Sequence, residues 1–149
     1  MIRPTAFTWI IAIFGLITFL PLIAAQILML LNPNSRRTKD VIIGKGKNWR
    51  DKTHVRSALA FAWADILIML PLLILGSIGV TNGQIWGYII WTSLGVLSIY
   101  FSIIFWVMEK KYTYPAYGWL AYYTYFWGFF LYWGLAAIAH SIYQMSNAL

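Results

Sequence analysis

Apolar positions in this chain gather into four long blocks separated by short polar stops, and the blocks predict helices that cross a membrane. The first, residues 6–31, carries no charge, and at ~1.5 Å per residue it can cross a hydrocarbon core of ~30 Å. Asn32-Pro33-Asn34-Ser35 ends it, combining proline with turn-forming residues. The second block, about 57–80, closes at Thr81-Asn82-Gly83, and the third, about 84–108, leads into Glu109-Lys110-Lys111. Pro115 and Gly118 then break the chain before a fourth block, about 117–143. The expected fold is an all-α integral membrane protein, a four-transmembrane-helix up-down bundle forming one domain over 1–149. Pro21 and Pro71 fall inside the first two helices and are expected to kink them, Pro71 by freeing the Leu67 carbonyl four residues earlier. No internal repeat is visible.

Arg3 ahead of the first block and Ala24-Ala25 within it also fit a cleaved signal peptide. Cleavage would send the basic segment that follows across the membrane, against the positive-inside rule, so a retained span is expected.

Composition agrees with the blocks. At 61% hydrophobic and 10% charged, the chain lies far from the averages of soluble domains. Nine Trp and ten Tyr are many even for a membrane protein, and the Trp/Tyr rows of Tyr122–Trp133 exceed what interfacial belts require, because several must lie at mid-membrane. The absence of Cys excludes disulfides, thiolate metal sites and cysteine redox chemistry. His54 and His140 are too few for a haem or zinc cage, and neither a cofactor nor a metal is expected.

The net charge of +7 does not point to nucleic acid, because of where the charges sit. Of the eleven Lys and Arg, only Arg3 lies outside the first and third connections. Both termini are therefore expected on the non-cytoplasmic side. The basic loop, 32–56, holds eight of these cations against Asp40 and Asp51, and its expected partner is anionic lipid headgroups. Within it Val41-Ile42-Ile43 and Trp49 read as an interfacial segment. Gly44-Lys45-Gly46-Lys47 suggests a phosphate nest but lacks the Walker pattern.

Asp65 is the carboxylate that falls well inside a span, about eight residues or ~12 Å from the expected cytoplasmic end. Helix rise brings Gln26, Ser98, Tyr100, Ser102 and the run Tyr122-Tyr123-Thr124-Tyr125 to a similar depth. Asp65, Gln26, Tyr100, Ser102, Tyr122, Tyr123 and Tyr125 are the candidate ligand-binding residues, with aromatic faces offering cation–π attraction. His140 lies near the opposite end of its helix, so an Asp65–His140 couple is not expected. Alternatively, the polar belt is structural, a neutral Asp65 hydrogen-bonded between helices. Gly95, Ser98 and Ser102, at i, i+3 and i+7, read as a stripe for close helix packing.

The second and third helices resemble the EXPERA group, which contains the sigma-2 receptor and the sterol isomerases. The likeness rests on Asp65, five apolar residues, Pro71, Gly83 with Trp86 in an aromatic-rich third helix, and Glu109 at its end; it extends to Pro21. The first helix carries Gln26 where that group would place a second acid. The resemblance implies a four-helix bundle whose intramembrane acid binds amines or sterol-like molecules. If the chain is an enzyme, it implies a lipid double-bond isomerase. The leading expectation is an intramembrane site at Asp65 for an apolar or amine-bearing small molecule or lipid. The alternative is an accessory or structural subunit of a larger membrane complex, with the aromatic fourth helix as interface; besides lipid and a hydrophobic ligand, the expected partners are a second copy, as a homodimer, or that larger assembly. A third reading, a proton or ion path, lacks the series of ionisable groups that a relay needs.

Overall fold

The computed structural model describes residues 2–117 and 128–148, and the side chains of all of these except 108–117. Among the described residues every regular element is helical: α1 (Ala6–Leu31), α2 (Arg36–Ile42), α3 (Lys52–Ala64), a π-helical turn (Asp65–Met69), α4 (Leu70–Thr81), α5 (Ile85–Tyr117) and α6 (Gly128–Ser146). Among the described residues three stretches are long and apolar enough to cross a membrane: Ala6–Leu31, Lys52–Thr81 and Ile85–Val107. The fourth expected span falls partly on 118–127, outside the described residues, and α6 covers 128–146.

Three boundaries differ from the sequence expectation, each for a local reason. Helix α3 starts at Lys52 rather than near Ser57, because Asp51 caps it: Asp51 Oδ1 accepts from His54 N at 2.8 Å. Helix α5 does not stop at Met108 but continues through Pro115 to Tyr117. A proline forgoes one hydrogen bond to the carbonyl four residues earlier, a loss that this helix accommodates without being split. Finally, the connection after α1 is not plain loop. Ser35 Oγ caps α2 by accepting from Thr38 N, and Thr38 Oγ1 donates back to the Leu28 carbonyl at 3.2 Å.

The pattern of burial is inverted relative to a water-soluble bundle. Ile10, Ile13, Ile17, Ile89, Val96 and Ile103 are exposed, whereas Thr8, Gln26, Asp65, Ser98, Ser102, His140 and Ser141 are buried. Hydrocarbon as solvent accounts for both halves, since apolar side chains face it freely while polar groups turn inward to find partners.

The described residues fall into two compact units, Met1–Thr18 with Leu72–Leu149, and Phe19–Pro71. In the first, α4 and α5 form a tight hairpin through the turn at Gly83, and Ile2 N donates to the Gly83 carbonyl at 2.8 Å. Gly79 and Gly87 bring the two backbones together, and a Cβ on either would overlap the other's main chain. Helices α5 and α6 meet in the same way, where a Cβ on Gly134 would lie 2.7 Å from the Gly95 carbonyl oxygen. Trp91 and Trp133 pack edge to face in this core, and Trp133 Nε1 donates to the Ile11 carbonyl of α1 at 3.0 Å.

In the second unit, Trp49 Nε1 donates to the Pro33 carbonyl at 2.8 Å and its ring meets the edge of His54. Trp49, expected at headgroup level, thus staples the loop to itself. The helix that begins at Lys52 departs from α geometry at Asp65, where Leu70 N–H bonds to the Asp65 carbonyl five residues back. This wider turn directly precedes Pro71, whose ring would crowd the carbonyl four residues earlier in a regular α-helix. Helix α1 runs through Pro21 as a single element.

Candidate functional site

Ala62, Asp65 and Met69, at i, i+3 and i+7, make the buried face of this helix, while Trp63, Leu67 and Ile68 are exposed. On α1, Gln26 and Met29 are buried and Ile27 and Leu31 exposed. The two buried faces join through one polar contact, Gln26 Nε2 donating to Asp65 Oδ2 at 2.7 Å. Asp65 is only 4% exposed. Gln26 is its sole hydrogen-bond partner among the described residues, and no cation pairs with it there. The second carboxylate oxygen remains open as an acceptor. π turns are frequent at functional sites, and this one begins on the carboxylate-bearing residue itself.

The other candidate residues belong to the first unit or lie outside the described residues. Ser102 is buried in α5, one helical turn beyond buried Ser98, whose hydroxyl donates to the Leu94 carbonyl. Tyr100 is 58% exposed and stacks its edge on Phe101. Successive helical positions turn by ~100°, so the residue midway between two buried serines points the opposite way. Tyr122, Tyr123 and Tyr125 lie outside the described residues.

A second polar constellation, in the first unit, escaped the sequence reading. Thr8 Oγ1 lies 2.8 Å from His140 Nε2, joining α1 to α6, with the rings of Phe7 and Tyr88 against the imidazole. Thr8 also completes a reciprocal cap at the start of α1: Thr5 N donates to Thr8 Oγ1, and Thr8 N to Thr5 Oγ1. A hydroxyl both donates and accepts, so this network closes around a neutral imidazole in either tautomer. The Ser141 hydroxyl is buried beside it in sequence with no partner among the described residues. Tyr88, facing Thr8, closes no hydrogen bond in good geometry. The Thr-x-x-Thr spacing before an apolar run was the available signal, though it announces only the cap and not the histidine across from it.

No group of three or more His, Cys, Asp or Glu that could hold a metal occurs among the described residues. No family model matches this chain, no curated protein matches its sequence, and no solved structure matches its fold.

Proposed function

We propose that this chain is a four-helix integral membrane protein, with proline bends and both termini on the non-cytoplasmic side, that binds an apolar or amine-bearing small molecule or lipid at Asp65. The supporting observation is the Asp65 carboxylate, buried within an apolar span, with an amide as its one hydrogen-bond partner among the described residues. A carboxylate at such a depth costs at least ~2.5–3.5 kcal/mol on insertion scales. One amide N–H offsets part of that, and a cationic ligand group or a proton would supply the rest. The EXPERA-type resemblance points toward the same ligand class. The reading is one of binding rather than catalysis, because an amide neither gives nor takes a proton at neutral pH.

The test is binding of a fluorescent long-chain amine, with its alcohol analogue as the neutral match, to the purified chain and to Asp65→Asn. The variant keeps hydrogen-bonding capacity and should remain folded. Amine affinity should fall by more than about a hundredfold, since the ligand's charge loses its buried partner. Affinity of the wild type should also weaken on acidification, as protonation removes the negative charge. Equal amine binding by a folded Asp65→Asn chain would remove the charge-dependent role.

A further inference from the structure

The structure divides the eight cations of the loop into two groups. Three are engaged within the loop: Arg36 with Asp40 at 3.9 Å, Lys39 Nζ donating to Asn48 Oδ1 at 3.2 Å, and Arg50 with Asp51 at 3.0 Å. The other five, Arg37, Lys45, Lys47, Lys52 and Arg56, are exposed and have no hydrogen-bond or ion-pair partner among the described residues.

Both acids of the loop already serve its own fold. Asp51 caps α3, and Asp40 Oδ1 accepts from Gly46 N at 3.0 Å. Gly44 and Gly46 have positive φ, 108° and 77°, the backbone that could cradle an anion. Their turn is filled, however: Asp40 takes the Gly46 N–H, and Lys47 N donates to the Gly44 carbonyl. The phosphate-nest reading of the sequence is therefore replaced by one in which the chain's own carboxylate occupies the turn. What remains for an external anion is the side-chain charge.

Two further features argue that this charge is organised for an outside partner. The loop is fastened at three points, Thr38 to Leu28, Trp49 to Pro33, and Gly46 to Asp40, so the cations project from a folded scaffold. Helix α3 also has no acid in its first turn and opens instead with Lys52 and, soon after, Arg56. A cation in the first turn, as Lys52 is, opposes the macrodipole that the Asp51 cap complements, so its placement does not favour the helix in isolation. Multiple unpaired cations immediately beside a membrane span match a layer of phosphodiester headgroups, which presents many anions in one plane.

We propose that Arg37, Lys45, Lys47, Lys52 and Arg56 form a preassembled docking surface for anionic phospholipid headgroups, and that Arg36, Lys39 and Arg50 instead maintain the loop. This surface is independent of the Asp65 site.

The experiment uses the full chain in nanodiscs of phosphatidylcholine, with and without phosphatidylglycerol. It reads thermal unfolding and the lipid retained on delipidation. Phosphatidylglycerol should raise the unfolding midpoint and be retained preferentially, with each of the five cations contributing about fivefold to that preference. Changing all five to Gln should abolish the preference while leaving helix content and the midpoint in phosphatidylcholine unchanged. Arg36→Gln with Lys39→Gln and Arg50→Gln should lower the midpoint in either lipid while the preference persists. The proposal is overturned if the five-Gln chain still selects phosphatidylglycerol, if the wild type shows no selection, or if inorganic phosphate in phosphatidylcholine discs reproduces the whole shift. The last result would assign the surface to a soluble phosphate.

Discussion

Asp65 and His140 are both buried, and each is hydrogen-bonded to a side chain of α1, Gln26 in one case and Thr8 in the other. The likeness ends there. At His140 the partner is the Thr8 hydroxyl, which can reverse direction, so the imidazole can rest neutral and the contact needs no added charge. Asp65 has a single amide donor among the described residues and a second oxygen left open there, and under the proposed reading a proton or a cation completes it. Burial of a polar group is thus ambiguous in itself. The balance of donors, acceptors and charge separates a helix fastener from a candidate binding site.

The largest effect that would sharpen this contrast comes from Gln26→Leu. It strips the buried carboxylate of its only donor among the described residues, and should lower stability in detergent by about 1.5–3 kcal/mol, the range for hydrogen bonds to charged groups. Adding Asp65→Leu should recover most of the loss in a double-mutant cycle. No recovery would mean that Gln26 acts through something other than Asp65. Thr8→Val should cost less, about 1–2 kcal/mol, because the bonds it removes, with His140 Nε2 and from Thr5 N, are all between neutral groups. If Thr8→Val proves the more damaging, the two sites have been ranked in the wrong order.

The smallest effect belongs to Asp51, a carboxylate outside both sites. The backbone N–H of His54, then the side chain of Arg50, hold its pKa below the usual carboxylate value. Its folded-state pKa is depressed, so its stabilising contribution is present above the ordinary Asp pKa and is lost as pH falls through the lowered value. Asp51→Ala should flatten that acid-side decline in a pH series of unfolding midpoints. An unchanged slope would show that the cap adds nothing under those conditions.

The ends of α1 were legible because an uncharged run meets Asn-Pro-Asn-Ser, a boundary written in composition. The start of α3 was not, since polar residues 52–56 read as loop and only the capping contact of Asp51 reveals the helix. The contact of Gln26 with Asp65 followed from depth, as helix rise brings both to one level from the same connection. Tyr100 shows the limit of that reasoning, because depth says nothing about which way a side chain faces. The π turn was illegible for a related reason: a uniformly apolar helix has no periodic stripe whose phase could betray an extra residue.

The meeting of Gly95 with Gly134 has a mechanical consequence. A Cβ on Gly95 would lie 2.9 Å from the Gly134 carbonyl oxygen, so main chain rests on main chain where the two helices cross. Side-chain interfaces can slide by exchanging rotamers, but a backbone contact has no rotamer to exchange. Around this crossing α5 and α6 form a stiff strut with a single distance of approach, and spin labels on their outer faces nearby should report one narrow separation with or without ligand.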